Sequence, residues 1–170
     1  KYKEDMEKRY KKMTLGGAIA SLILTIIGGV AFFFRGVSLP IFAIWSMTFT
    51  IGIYYLSGTL IPMSSNNVRN DGAVALGLRK NDDVSKVTIN LLKIQSELYN
   101  GKTPSEIDES LYFDLPQLRE DLPEFAMLLN ARYNFYLDKG DFENAKITVR
   151  RLDSIIEYLL TIINSDYELW

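Results

Sequence analysis

The chain contains neither cysteine nor histidine. Without cysteine it has no disulfide, no thiolate metal site and no thiol nucleophile. Without histidine it lacks the commonest general base and the commonest metal ligand of proteins. Whatever chemistry these 170 residues support by themselves rests on carboxylates, lysine, tyrosine, serine or threonine. Charge is missing locally as well. Leu15 to Phe34 carries none, and none occurs between Gly36 and Val68.

The charge that is present is unevenly shared. Residues 1–80 hold ten Lys/Arg against four Asp/Glu, a balance of +6, and residues 81–170 hold nine against seventeen, a balance of −8. That asymmetry points to two units with different surroundings. The acidic second half argues against a nucleic-acid partner, because phosphate contacts need a basic face.

Residues 1–14 are polar and mostly basic, and read as a solvated amphipathic helix or a flexible lead-in. The apolar run from 15 to 34 would rise about 30 Å as a helix, the thickness of a bilayer core. Gly16, Gly17, Ala18, Ala20, Ser21, Gly28 and Gly29 leave room for a second helix to approach closely. A second apolar run follows from about 39 to 63, with Pro40 placed for a first helical turn. Its proximity and the length of the first run disfavour a signal peptide. The short connection around Arg35 makes the two spans antiparallel neighbours. Basic residues precede the first span and follow the second at Arg69, Arg79 and Lys80, so both ends of the chain are expected to be cytoplasmic.

From Asp82 the pattern turns soluble and helical. Asp82 or Asp83 can cap a helix carrying Val84, Val87, Leu91, Leu92, Ile94 and Leu98 at helical spacing. A short helix is expected from Thr103 or Ser105 through Leu111, then Phe125–Leu137, then Phe142 to about Ile163. The stretch from Tyr136 to Ala145 looks like the inter-helix turn of a tetratricopeptide repeat (TPR), with Gly140 in the turn and Ala145 where helices approach. Tyr133 departs from that pattern and a single unit is visible, so an ordinary helical bundle stands beside the TPR-like reading. The clusters Glu106, Asp108, Glu109 and Glu120, Asp121, Glu124 read as solvated faces rather than paired acid and base. Arg150-Arg151 reads as helix surface, and Tyr167 to Trp170 as packing for the last hairpin.

The most informative stretch is 59–72, which closes the second apolar run and then places Asp71 next to Gly72. Asp-Gly after a helix is ordinary turn chemistry, and Asn66, Asn67 and Asn70 support a loop. A carboxylate beside a membrane-length segment is also a place to look for function. Leu-Ile-Pro closes the run at Pro62, Asn-Asp-Gly opens a helix at 73–76, and Gly16-Gly17-Ala18-Ile19-Ala20-Ser21 lies one span earlier.

This pairing resembles the later half of the site-2 protease family of intramembrane zinc metalloproteases. The resemblance covers roughly residues 15–80. It implies that Asp71 is the third zinc ligand, beside two histidines of a His-Glu-x-x-His helix whose Glu is the general base. Thr59 stands where the family has Asn, and Ala18 and Ser21 stand where it has Pro and Asn. No His-Glu-x-x-His is present, so the chain holds no catalytic residue of its own. Lys1 in place of Met points to a longer protein that carries that helix upstream.

The expectation is therefore an all-α chain, a two-span transmembrane hairpin followed by a small soluble TPR-like domain. Residues 1–14 form the lead-in, 15–80 the membrane domain and 81–170 an acidic cytoplasmic domain. The implied protein is integral to a bacterial plasma membrane and hydrolyses membrane-embedded or membrane-proximal peptide substrates. Its zinc would take its remaining ligands from outside this chain, and residues 81–170 would engage a protein partner. The alternatives are a non-catalytic membrane-anchored TPR-like adaptor and an immunity-type protein.

Overall fold

A computed structural model describes residues 2–33, 38–65 and 68–167. Among them are seven α-helices and one minimal strand pair, so the chain is all-α. Two compact units divide it: one of Glu7–Ser65 with Arg69–Arg79, the other built chiefly of residues 80–167.

The first unit is a pair of helices long and apolar enough to cross a membrane. Helix α1 runs unbroken over Tyr2–Phe33, so the basic lead-in continues the span as helix. Its first turns are rich in good helix formers, and Glu7 pairs with Lys11 one turn on at 3.6 Å. Helix α2 covers Leu39–Leu60, with Pro40 in its first turn. It stops at Ile61, whose extended backbone (ψ 117°) is the conformation a residue before proline prefers. Met63 is already beyond the helix.

The two helices meet at glycines. A β-carbon on Gly28 would lie 2.9 Å from Phe49 N, and one on Gly52 would lie 2.6 Å from Thr25 Oγ1 and 3.1 Å from its Cα. Three residues back along α1 thus correspond to three residues forward along α2, which is an antiparallel pair in close backbone contact. The hydroxyls along α2 turn inward on their own helix: Ser46, Thr48, Thr50 and Thr59 each donate to the carbonyl four residues back, at 2.8–3.0 Å. Each polar group is thereby satisfied without water, as an apolar surrounding requires.

Past α2 come the strands β1 (Ser64–Ser65) and β2 (Val68–Arg69), then helix α3 (Asp71–Lys80). The expected loop residues Asn66 and Asn67 lie outside the described residues, as does the connection at Arg35.

The second unit holds α4 (Asp83–Tyr99), a 3₁₀ turn (Pro104–Glu106), α5 (Ser110–Phe113), α6 (Pro123–Asp138) and α7 (Phe142–Tyr167). Asp82 caps α4 by accepting from Ser85 N at 2.8 Å. The single short helix read through Leu111 is split in two. Thr103 N donates to Glu106 Oε2 at 2.9 Å and closes the 3₁₀ turn, and Asp108 then accepts from Ser110 to start α5.

Gly140 adopts φ +76°, which an L-residue rarely tolerates, and lets the chain reverse between α6 and α7. Asp141 caps α7 by accepting from Asn144 N at 3.1 Å, and Ala145 is buried where the two helices approach. One core joins Val87, Leu118, Phe125, Leu128, Leu129, Leu152 and Ile155. A second joins Ile94, Ile107, Leu111, Tyr112 and Phe135, with the Tyr112 and Phe135 rings 5.0 Å apart. The terminal Trp170 lies outside the described residues.

Candidate functional site

The turn from α2 to α3 is organised by one side chain, Asn70. Its amide nitrogen donates to Gly58 O and to Ile61 O, both at 2.7 Å, and so satisfies carbonyls left open at the end of α2. Its oxygen accepts from Met63 N at 3.0 Å and from Ala73 N at 2.9 Å. The second of these is an N-cap bond for α3. The backbone completes the clamp, with Asn70 N donating to Met63 O at 3.1 Å.

Gly72 is held against the same helix end. A β-carbon there would stand 2.6 Å from Leu60 O and 2.7 Å from Thr59 O, so only glycine fits. Thr59, in the position where the resemblance calls for asparagine, spends its hydroxyl on Tyr55 O at 2.8 Å. The asparagine that ties this turn together is Asn70.

With its neighbours clamped, Asp71 occupies the first turn of α3, where the positive end of the helix dipole favours a carboxylate. The side chain does more than face solvent. Its Oδ2 lies 3.4 Å from the point where a β-carbon on Gly17 would stand. Both residues are exposed, and the carboxylate approaches α1 at ordinary contact distance from that point. Gly17 and Asp71, which the sequence presented as two separate elements, are neighbours in space.

Zinc in a catalytic site takes three protein ligands. The chain has no histidine or cysteine, and among the described residues no three carboxylates gather into a metal-binding group. Asp71 belongs to no such group among the described residues.

Several of the acidic side chains of the helical unit are paired, while Glu124, expected on a solvated face, is half-buried with its Oε2 enclosed and without a hydrogen-bond partner among the described residues. Glu109 pairs with Lys139 at 3.4 Å, Glu120 pairs with Arg151, and Asp121 is bound by Arg119. Arg151 also lies over the Phe125 ring at 5.4 Å, so it does more than decorate a surface. Asp138, at the end of α6, accepts from Ser105 N at 2.8 Å; the Ser105 hydroxyl and this N–H hold its carboxyl below the usual range. The Tyr112 phenol donates to Pro104 O at 3.2 Å, and burial, helped by the charge of Asp138, pushes its pKa up to about 12.

Sequence reasoning singles out Asp71, reads Asn70 as loop chemistry and reads Gly17 as one of several small residues of the first span. The Asn-Asp-Gly order was a signal for a cap, since asparagine is a favoured N-cap residue. Nothing in one dimension pairs Gly17 with Asp71. No family model matches the chain, and comparison with the curated proteins and with the solved structures finds no match either.

Proposed function

We propose that the chain is the C-terminal portion of an intramembrane metalloprotease of the site-2 type, with Asp71 as one zinc ligand. The observation that carries this reading is the position of the Asp71 carboxylate against Gly17 of the first membrane-length helix, 3.4 Å from that residue's missing side chain. A helix-end aspartate needs only water and the helix dipole. It has no need of an asparagine clamp on one side and an obligate glycine on the other.

The break at Pro62 supports the same reading, because irregular backbone at membrane depth is tolerated where it lines a wet cavity. So do the bare apolar flanks of α1 and α2, where Ile19, Ile23, Ile26, Ile44 and Ile51 are all more than half or nearly half exposed and call for lipid. Both ends of the chain would then face the cytoplasm.

When bound, zinc would supply an acidified water for hydrolysis of a peptide bond. The part of this chain is to place and hold a carboxylate. Asn70 fixes the first turn of α3, Gly72 lets that turn press on the end of α2, and Gly17 lies opposite the carboxylate. Histidine ligands have to come from outside these residues. In the full-length protein in its membranes, Asp71→Asn is expected to reduce both bound zinc and cleavage of a membrane-anchored substrate to background. Unchanged zinc content and proteolysis would sink the proposal.

A membrane-anchored adaptor without catalysis is the second reading, favoured by the lack of any metal-binding group among the described residues. On that reading Asp71→Asn leaves function intact while residues 81–170 carry the binding.

A further inference from the structure

The helical unit contains a cavity of about 310 Å³ between α4 and α6. That volume falls at the lower end of the range for ligand pockets. Its floor is apolar, made by the buried Ile94 and Tyr112 and the half-buried Ala131, with Leu98 and Met127 exposed at its edge. Three primary amides line it, Gln95 of α4 and Asn130 and Asn134 of α6, together with Pro104 and Tyr112, whose carbonyl and hydroxyl are bonded to each other. None of the three has a hydrogen-bond partner among the described residues. No charged side chain lines the cavity, although the unit around it is strongly acidic.

From this arrangement we infer that the cavity binds a neutral, extended peptide segment, an activity independent of the zinc reading. Asn130 and Asn134 are four residues apart on one helix, so they stand about 6 Å from one another along its axis. An extended chain presents backbone groups to the same side every second residue, about 6.7 Å apart. Each asparagine carries one acceptor and a two-hydrogen donor, which matches the N–H and C=O of a peptide residue. Two such handles at that repeat grip alternate residues of an extended segment.

Between them, the side chain that points inward meets Ile94, Ala131 and Tyr112, and so is apolar. Gln95 closes the segment from the facing helix. An uncharged floor penalises any occupant whose charge would lose its water without gaining a partner. The acidic surroundings add repulsion against anionic peptides in particular. The occupant is therefore a neutral segment with an apolar side chain at the centre.

The test uses the full chain in detergent micelles, labelled with nitrogen-15, and a capped pentapeptide alternating leucine and alanine. The side-chain amide signals of Gln95, Asn130 and Asn134 are expected to shift saturably. Asn130→Ala and Asn134→Ala should each weaken binding roughly three- to tenfold, the worth of one or two hydrogen bonds. Both positions are exposed and unpaired, so far-UV circular dichroism should stay unchanged. A peptide N-methylated at alternate residues should bind at least about tenfold more weakly, and one with glutamate in place of leucine should not bind. The inference is overturned if the amide signals stay still up to the solubility of the peptide. It is equally overturned if the double alanine variant or the N-methylated peptide binds as tightly as the parents, since that is apolar adhesion without recognition of a backbone.

Discussion

Asn70 is the residue on which the α2–α3 turn depends. It contributes four side-chain hydrogen bonds, two given and two received, to segments on both sides of Pro62. Asn70→Ala is expected to destabilise the membrane-length unit by about 1–3 kcal/mol, the range for a lost cap plus open carbonyls. Hydrogen exchange at the Met63 and Ala73 amides should accelerate. Asn70→Asp keeps the acceptor but turns a carboxylate toward Gly58 O and Ile61 O, so it should be no more stable than alanine. A fully stable aspartate variant would mean that the two donated bonds contribute nothing. The sequence reading treated Asn70 as loop chemistry because its partners lie nine and twelve residues upstream, and only the bend at Pro62 brings them into reach.

Among the elements, the spans were legible and their contact was not. The length of an uncharged run is a one-dimensional quantity, so α2 and the far end of α1 could be read to within a few residues, whereas α1 starts at Tyr2, well before the run that begins at Leu15. Which glycines touch depends on how each helix is rotated about its own axis. Gly28 meets Phe49 N and Cα, whereas Gly16 meets nothing within 4 Å. Gly28→Ala should therefore weaken the hairpin by about 1–3 kcal/mol, because the added carbon meets backbone that cannot turn aside. Gly16→Ala should be neutral or slightly stabilising. Unfolding the two variants side by side in bicelles checks this, and equal stability would remove the close approach from the account. Cap chemistry was legible for α4, where Asp82 is local. It was not for α5, which owes its separate start to Asp108 and to the closed turn before it.

For the molecule as a whole, pH tests the helical unit from two sides. Asp138 and Asp141 have carboxyls held below their ordinary value of 3.8, chiefly by hydrogen bonds from Ser105 and Asn144. Their contribution is present above that value and is lost as pH falls through the lowered one. Tyr112 has a raised pKa, so its contribution is complete below 10 and is lost as pH rises through about 12. The prediction is a stability plateau bounded by acid loss below about 4 and alkaline loss above about 10, followed by circular dichroism. Asp138→Asn should flatten the acid limb and also bring the Tyr112 titration down, since a negative charge near the phenol is removed. Subtracting the phenolate titration of Tyr112→Phe isolates that group from the other nine tyrosines. An unshifted titration would show that the two groups do not sense each other.

The unbroken course of α1 has a mechanical side. Its 32 residues make a rod of about 48 Å, well beyond the roughly 30 Å of hydrocarbon in a bilayer. A rod answers a change of bilayer thickness by tilting, and α2, locked to it at Gly28 and Gly52, has to tilt with it. Gly17 rides on that rod while Asp71 hangs from the turn at the end of its partner. A pair that tilts as one body keeps that distance whatever the thickness of the bilayer, as the jaws of a locked caliper keep theirs.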